Sequence, residues 1–417
     1  MNLYRLELKR VCKTRMTAIL LAIALVLAVV MAYLPVTFIG WTELDASGNE
    51  VRYTGLKAIR KRQEQQVSGT ITPDVMQEVL EAYQRVYRRY DASSINDIPD
   101  EVFYKELARY QPFVNNAKEA FADSKTGMAP GVMGLTAEDM QNFYNQLPKR
   151  LESVIWLEQS GKPGYEQAQA IAQKKFDAVQ KPFTYSFGVS SDAMDYQTLL
   201  SLLLTLLCAV IAAPVFASDA QTGAQDIQLC TKNGGLRLAA AKLAAAFSIT
   251  GAAYLLCGVV WILVTNALFG WESTQTSVQW LFSVTSLLPY TVGQMEWVML
   301  VANFLIFFAE VAFVLMASVW AKNNLTALSV ALISVVAPLI VYMVVPGSFG
   351  EWLSTLIPAG GIGLSNALMY KMISFDFLYA GGHAFFQADV LLASAPIKIV
   401  LLVGLAAWGY LRKTKAA

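Results

Sequence analysis

Apolar and polar positions along this chain of 417 residues fall into long blocks rather than a residue-by-residue alternation. A membrane helix needs about 20 mainly apolar residues, because every backbone amide in hydrocarbon has to be paired within its own segment. Six stretches meet that test: 16–41, 194–218, 238–271, 291–321, 324–346 and 394–411. The first, "MTAILLAIALVLAVVMAYLPVTFIGW" from Met16 to Trp41, carries no charge. A signal peptide is its competing reading. The run is longer than a signal core and no small-residue cleavage site closes it, so it is read as a retained anchor.

Between the first two spans, residues 42–193 are polar and hold more than half of the chain's 32 Lys and Arg and of its 31 Asp and Glu. The block is large enough for one independent domain, and its periodicity predicts helices. Thr72 before Pro73 is an N-cap with proline at the first helical position, followed at one-face spacing by Met76, Val79, Leu80, Tyr83, Val86, Tyr87 and Tyr90. Phe103, Leu107, Tyr110, Val114 and Phe121 form a second stripe, disturbed near Pro112. "TAEDM" from Thr136 opens a third helix with Met140, Phe143, Leu147, Leu151 and Val154 inward and a kink at Pro148; "PGYEQAQAIAQKKFDAVQ" supplies a fourth. Such aromatic stripes could line a ligand groove, but at helical spacing they are read as core. Residues 351–393 are too broken by PAGG and AGG for a clean span and too apolar for an exposed loop, with an ordinary seventh span as the alternative.

Composition places the chain in a class. It is 55% apolar and 15% charged with a mean hydropathy of +0.43, against about 25% charged in an average soluble domain, so it reads as an integral membrane protein. Its net charge of +1, without a basic stripe, argues against a nucleic-acid partner. Where the charges lie matters more. Arg5, Lys9, Arg10, Lys13 and Arg15 precede the first span; Lys232, Arg237 and Lys242 lie between the second and third; Lys322 follows the fourth; Arg412, Lys413 and Lys415 follow the sixth. None lies between Lys242 and Lys322. Basic residues in short loops stay inside, whereas long blocks translocate regardless of charge, so both termini are expected in the cytoplasm and 42–193 outside.

Candidate chemistry narrows the function by what is missing. There is no GxxxxGK[ST], GxGxxG after a strand, GxSxG or HExxH, and His383 is the only histidine, read as an interfacial polar residue. Cys12, Cys208, Cys230 and Cys257 fit neither a disulfide framework for 42–193 nor a zinc pattern. The acid pairs Asp100–Glu101 and Glu138–Asp139 sit at helix starts, where capping explains them. No enzymatic role or bound cofactor is therefore expected on this chain. Inside the spans, Glu310 is an acid at mid-helix and Asn303 lies seven residues before it, on nearly the same face. Such an acid costs on the order of 3 kcal/mol to insert, so the pair either lines a path or glues helices together.

The connector "FASDAQTGAQDIQLCTKNGGLRLAAAK" (216–242) joins two spans through very few residues. Ala220–Leu229 can form a short helix with Ile227 and Leu229 as apolar anchors, and Asn233–Gly235 supplies a turn. A stiff bridge of this kind transmits a push into both spans, where a floppy loop would absorb it. With Asp219 after the second span, Gly223 four residues on, a leucine-containing turn ending in Arg237, and Lys242 opening the third, the chain resembles the permease subunits of type-2 ABC transporters. "MNLYRLELKRVCKTR" (1–15) is similar to their amphipathic elbow helix, with Leu3, Leu6 and Val11 available to one face.

The resemblance implies an all-α polytopic membrane protein: an elbow helix at 1–15, six spans, a helical extracytoplasmic domain at 42–193, and external or re-entrant helices at 351–393. It implies a coupling segment at 219–237 in which Asp219, Gly223, Ile227, Leu229 and Arg237 carry the contact with a separate cytoplasmic ABC ATPase, where ATP and Mg would sit. It further implies a second permease chain, identical or related, and outward movement of a lipid, peptide or drug-like substrate across a bacterial cell membrane. Two rivals stand beside it: a membrane-anchored sensor whose outer domain recognises a ligand, and a secondary carrier, for which internal repeats would be expected and none is found.

Overall fold

A computed structural model describes residues 3–45, 47, 49–364 and 366–416. Met1 and Asn2 of the expected 1–15 helix, Ser365 of the 351–393 segment and the Lys415 side chain lie outside the described residues. The chain is mostly helical, with three short two-stranded pairs. In order come α1 (Leu3–Cys12), α2 (Arg15–Phe38), the hairpin β1 (Gly40–Leu44) and β2 (Glu50–Thr54), α3 (Gly55–Gln65), β3 (Gly69–Thr70) and α4 (Pro73–Arg89). Next are α5 (Gln111–Ala120), α6 (Ala137–Gln141), α7 (Phe143–Gln159), α8 (Tyr165–Asp177) and β4 (Thr184–Tyr185). Then follow α9 (Ser191–Ala212), α10 (Pro214–Thr222), α11 (Ala224–Leu229), α12 (Leu236–Phe269), α13 (Val292–Trp320) and α14 (Asn324–Val344). The chain closes with α15 (Gly347–Leu356), α16 (Leu368–Ile373), the hairpin β5 (Phe377–Ala380) and β6 (His383–Phe386), and α17 (Gln387–Ala416).

Among the described residues six helices are long and apolar enough to cross a membrane: α2, α9 continued by α10, α12, α13, α14 and α17 up to Lys413. The protein is thus a multi-pass membrane protein. In α13, 67% of the most apolar stretch is buried, and in α9–α10 61%, against 17% in α17, so α9–α10 and α13 form the centre. The outward faces of α2, α14 and α17 stay apolar, with Ile19, Val26, Ile333, Met343 and Val400 all exposed, as a hydrocarbon surround demands. Close approach at the centre relies on small residues: a Cβ on Gly258 of α12 would meet Leu300 Cδ1 of α13 at 2.3 Å.

The second span breaks at Ala213, where Pro214 cannot donate a backbone hydrogen bond. One hydroxyl repairs the gap. Ser318 Oγ of α13 donates to the Ala213 carbonyl at 2.6 Å and accepts from the Phe216 and Ala217 amides at 3.0 and 3.1 Å, filling all three of its bonding positions.

At the opposite end of the bundle from the N-terminus, a polar layer covers the helix ends. Thr72 caps α4, accepting from the Val75 amide at 3.3 Å, and the face Met76, Val79, Leu80, Tyr83, Val86 and Tyr87 is buried, while Tyr90 is left exposed. Thr136 and Asp139 cap α6 reciprocally. The second stripe is not one helix: Phe103–Leu107 forms a wide turn and Ala108–Tyr110 a tight one, and a new helix starts at Gln111, which places Pro112 in a first turn where its missing N–H costs nothing.

This layer shares its core with the membrane part. Trp280, from the link between α12 and α13, inserts among Phe113, Phe143, Phe183 and Tyr185, its ring 5.2 Å from that of Phe113. The same link trades hydrogen bonds with β4 and the chain beyond it: the Ser277 amide donates to the Thr184 carbonyl at 2.9 Å, and the Ser186 amide to Thr276 Oγ1 at 3.0 Å. β5–β6 does likewise, Tyr379 OH donating to Gln159 Oε1 at 2.8 Å. One contiguous apolar cluster therefore joins Ala24 in α2, Phe113 in α5 and Tyr410 in α17.

Glu119 in α5 reaches the same link, accepting from Ser283 Oγ at 2.5 Å and from the Val284 amide at 3.5 Å. Burial pushes its carboxyl above the ordinary 4.5, more than these bonds and the Arg150 charge pull it down. A raised carboxyl means the folded chain holds the proton longer. Its stabilising share is complete below about pH 4.5 and is lost as pH rises through the higher folded value. Glu119→Gln is expected to remove that decline, so unfolding temperatures recorded from pH 4 to pH 8 should run flatter than those of the parent chain; parallel curves would exclude the linkage.

Candidate functional site

Four charged side chains meet where α1, α10 and α12 converge at the N-terminal end of the bundle. Arg10 Nη1 donates to both carboxylate oxygens of Asp219, at 2.8 and 3.1 Å, and its Nη2 donates to the Val215 carbonyl at 3.0 Å. Lys242 Nζ donates to Asp219 Oδ2 and lies 3.8 Å from Glu7 Oε1. Glu7 in turn lies 2.8 Å from Arg10 Nε. The cluster is balanced, two acids against two bases, and Lys242 has a side chain 0% exposed. Charges so buried are tolerable only when each is matched.

This arrangement fixes how α1 lies. Its packing line is Tyr4, Glu7, Leu8 and Val11, with Val11 buried against Ile211 and Ile249 and Tyr4 OH donating to Ser248 Oγ at 3.0 Å. The expected line of Leu3, Leu6 and Val11 is turned: Leu6 is exposed, because Glu7 has to face the two bases.

Asp219 and Arg237 therefore belong to the helices flanking the connector, and only Gly223, Ile227 and Leu229 lie in the connector proper. Gly223, at φ +70°, ends α10 and starts α11, a left-handed residue that glycine takes without cost. Ile227 is 74% exposed and Leu236 55%, Leu229 is half-buried, and Arg237 points to solvent with a bond from Nη1 to Asn233 Oδ1 at 3.3 Å. The bridge is thus anchored at its roots by buried ions and presents apolar side chains outward between them.

The structure does not bring Asn303 and Glu310 together. Seven helical residues separate them by about 10 Å along α13. Asn303 lines a cavity of about 20 Å³ with Gln197 and Ser201 of α9 and Tyr254 of α12, room for one water. Glu310 is fully buried against α14, where Ser334 Oγ donates to it. Lys398 of α17 gives its protons to the Thr355 and Ile357 carbonyls at 3.0 and 3.2 Å. This arrangement favours the reading of helix glue over a continuous path.

A second buried acid escaped the sequence reading. Glu296 of α13 is 0% exposed and accepts from Asn266 Nδ2 of α12 at 2.6 Å, while Gln197 Nε2 donates to its carbonyl at 2.9 Å. It lies near the start of the expected 291–321 span, ahead of the long apolar run from Trp297, and the Thr291–Gln294 capping box, which starts the helix at Val292, was the signal that it lies inside. Through Gln197 and Asn266 it ties α9, α12 and α13 together by polar contacts. Among the described residues no three His, Cys, Asp or Glu side chains group as metal ligands. No protein-family model matches the chain, and no curated protein matches it in sequence.

Proposed function

We propose that this chain is the membrane-spanning permease subunit of a type-2 ABC transporter, carrying a lipid, peptide or drug-like substrate outward under the drive of a separate ATPase. The observation that carries the reading is the connector: a six-residue helix, α11, with Ile227 exposed and Leu229 half-buried, rooted on both sides by the ions Arg10, Asp219 and Lys242. A push on α11 reaches α9–α10 through Gly223 and α12 through the turn at Asn233–Gly235. Because Asp219 is bonded to α1 and to α12 alike, the three elements would move as a unit. In this reading the basic end is cytoplasmic, α1 is the elbow helix at the headgroups, the polar layer is extracytoplasmic, and a second permease chain completes the path.

Replacing both Ile227 and Leu229 with Asp is expected to abolish stimulation of the partner ATPase and its co-purification, while membrane insertion and unfolding temperature stay within the range of ordinary surface substitutions. Stimulation at the parent level in that double variant sinks the proposal. Co-purification with a kinase or regulator and no ATPase would instead favour the sensor reading.

A further inference from the structure

Where the polar layer meets the bundle, a groove of about 890 Å³ opens between α8, β6 and the first turns of α13 and α17. A second cavity of about 480 Å³ continues it, sharing Pro289, Tyr290 and Val298. Its floor is apolar, with Leu288 from the link before α13 and Val298 of α13 on one side and Met372 of α16 with Leu392 and Ala393 of α17 on the other. Val298 and Ala393 are each the seventh residue of their helix, so the floor lies about 10 Å along it. The rim is different. Lys174 and Lys175 come from the last turn of α8, and Phe385 and Trp297, 40% and 46% exposed, stand at the edges.

We propose that this groove holds an anionic, phosphate-bearing lipid taken from the bilayer. Exposed aromatic side chains beside the start of a span mark the level of lipid headgroups. The vertical order of the groove, cations above and aliphatic side chains below, is the order of a phospholipid, and its volume lies within the range of about 300–1,000 Å³ that encloses a small ligand. The two lysines divide the work. Lys175 is held by Asp389 at 3.1 Å and lies over the Phe386 ring, which neutralises the one acid in the lining. Lys174 is exposed and has no ion pair among the described residues, so its charge is available to a phosphate. A zwitterionic headgroup would gain less, since its own cation would meet Lys174. The proposal concerns binding alone and stands or falls apart from the transport reading.

The test uses the full chain in detergent, titrated with dioleoyl phosphatidylglycerol or dioleoyl phosphatidylcholine, and counts retained lipid by native mass spectrometry. The parent chain is expected to prefer the anionic lipid. Lys174→Gln should weaken that binding about fivefold, the worth of one lysine at a charged membrane surface, and leave the zwitterionic lipid unchanged. Ala393→Trp, which fills the floor without altering charge, should remove retention of the anionic lipid at an unchanged unfolding temperature. Equal retention of both lipids by the parent, or parent-level retention in both variants, overturns the proposal. Displacement of the lipid by inorganic phosphate also overturns it, since the ligand would then be a free anion.

Discussion

Asp219→Ala is expected to lower the unfolding temperature of the detergent-solubilised chain further than any other single change at the N-terminal end of the bundle. The substitution removes one carboxylate and leaves Lys242, with no exposed side-chain surface, 3.8 Å from Glu7 as its nearest acid. Arg10 loses its two bonds to the same carboxylate and keeps Glu7 and the Val215 carbonyl. Two cations then share one acid. Stripping one partner from a buried ion pair costs about 3–5 kcal/mol, whereas replacing both partners by apolar groups is close to neutral. Asp219→Ala combined with Lys242→Met should therefore recover most of the loss, because Arg10 and Glu7 remain as a matched pair. The measurement is a double-mutant cycle on unfolding temperature, which isolates the coupling between the two sites. Additive losses would show that the pair is not coupled and that α1, α10 and α12 are held by packing alone.

That cluster also shows where sequence reasoning stops. The six spans were legible because hydrocarbon allows few ways to satisfy a backbone, and uncharged runs of the required length are rare by chance. The caps at Thr72 and Thr136 were legible because capping is local chemistry. Asp219 was seen, but a charge at the end of an apolar run is ordinarily solvated, and nothing local says that Arg10, 209 positions earlier, and Lys242 will close on it. Trp280 is hidden for the same reason: it sits in the link between α12 and α13, and nothing local says that Phe113, Phe143 and Phe183, far earlier in the chain, will close around it. The β1–β2 hairpin did leave a trace, since Val51 and Tyr53 alternate with charged or polar neighbours after Ser47–Gly48–Asn49. Glu310 and Asn303 were seen to share nearly one helix face, but periodicity does not say that a face seven residues long meets two different neighbours.

Gly234→Ala is expected to disable the connector without unfolding the bundle. A Cβ at that position would lie 1.7 Å from the Gln228 carbonyl oxygen and 2.6 Å from its carbon, both backbone atoms at the end of α11. That carbonyl already accepts from the Thr231 amide at 3.0 Å and from Thr231 Oγ1 at 2.7 Å, so the turn is wrapped closely around it and has nowhere to retreat. Overpacking of this kind costs about 1–3 kcal/mol, and here the cheapest relief is to displace α11 itself, since the ions that root the flanking helices are far stiffer. Gly223 is the internal control. It needs a left-handed backbone, but nothing lies within 4 Å of its missing Cβ, so Gly223→Asn, a residue that visits that region readily, should be tolerated. Hydrogen–deuterium exchange over residues 224–235 would separate the two: faster exchange in Gly234→Ala, parent-like exchange in Gly223→Asn, and unfolding temperatures close to the parent in both. Stimulation of an ATPase partner should fall with the first variant and persist with the second. If Gly234→Ala left both exchange and stimulation at the parent level, the bridge would be too compliant to carry force between α10 and α12, and the coupling role proposed for it would have to be given up.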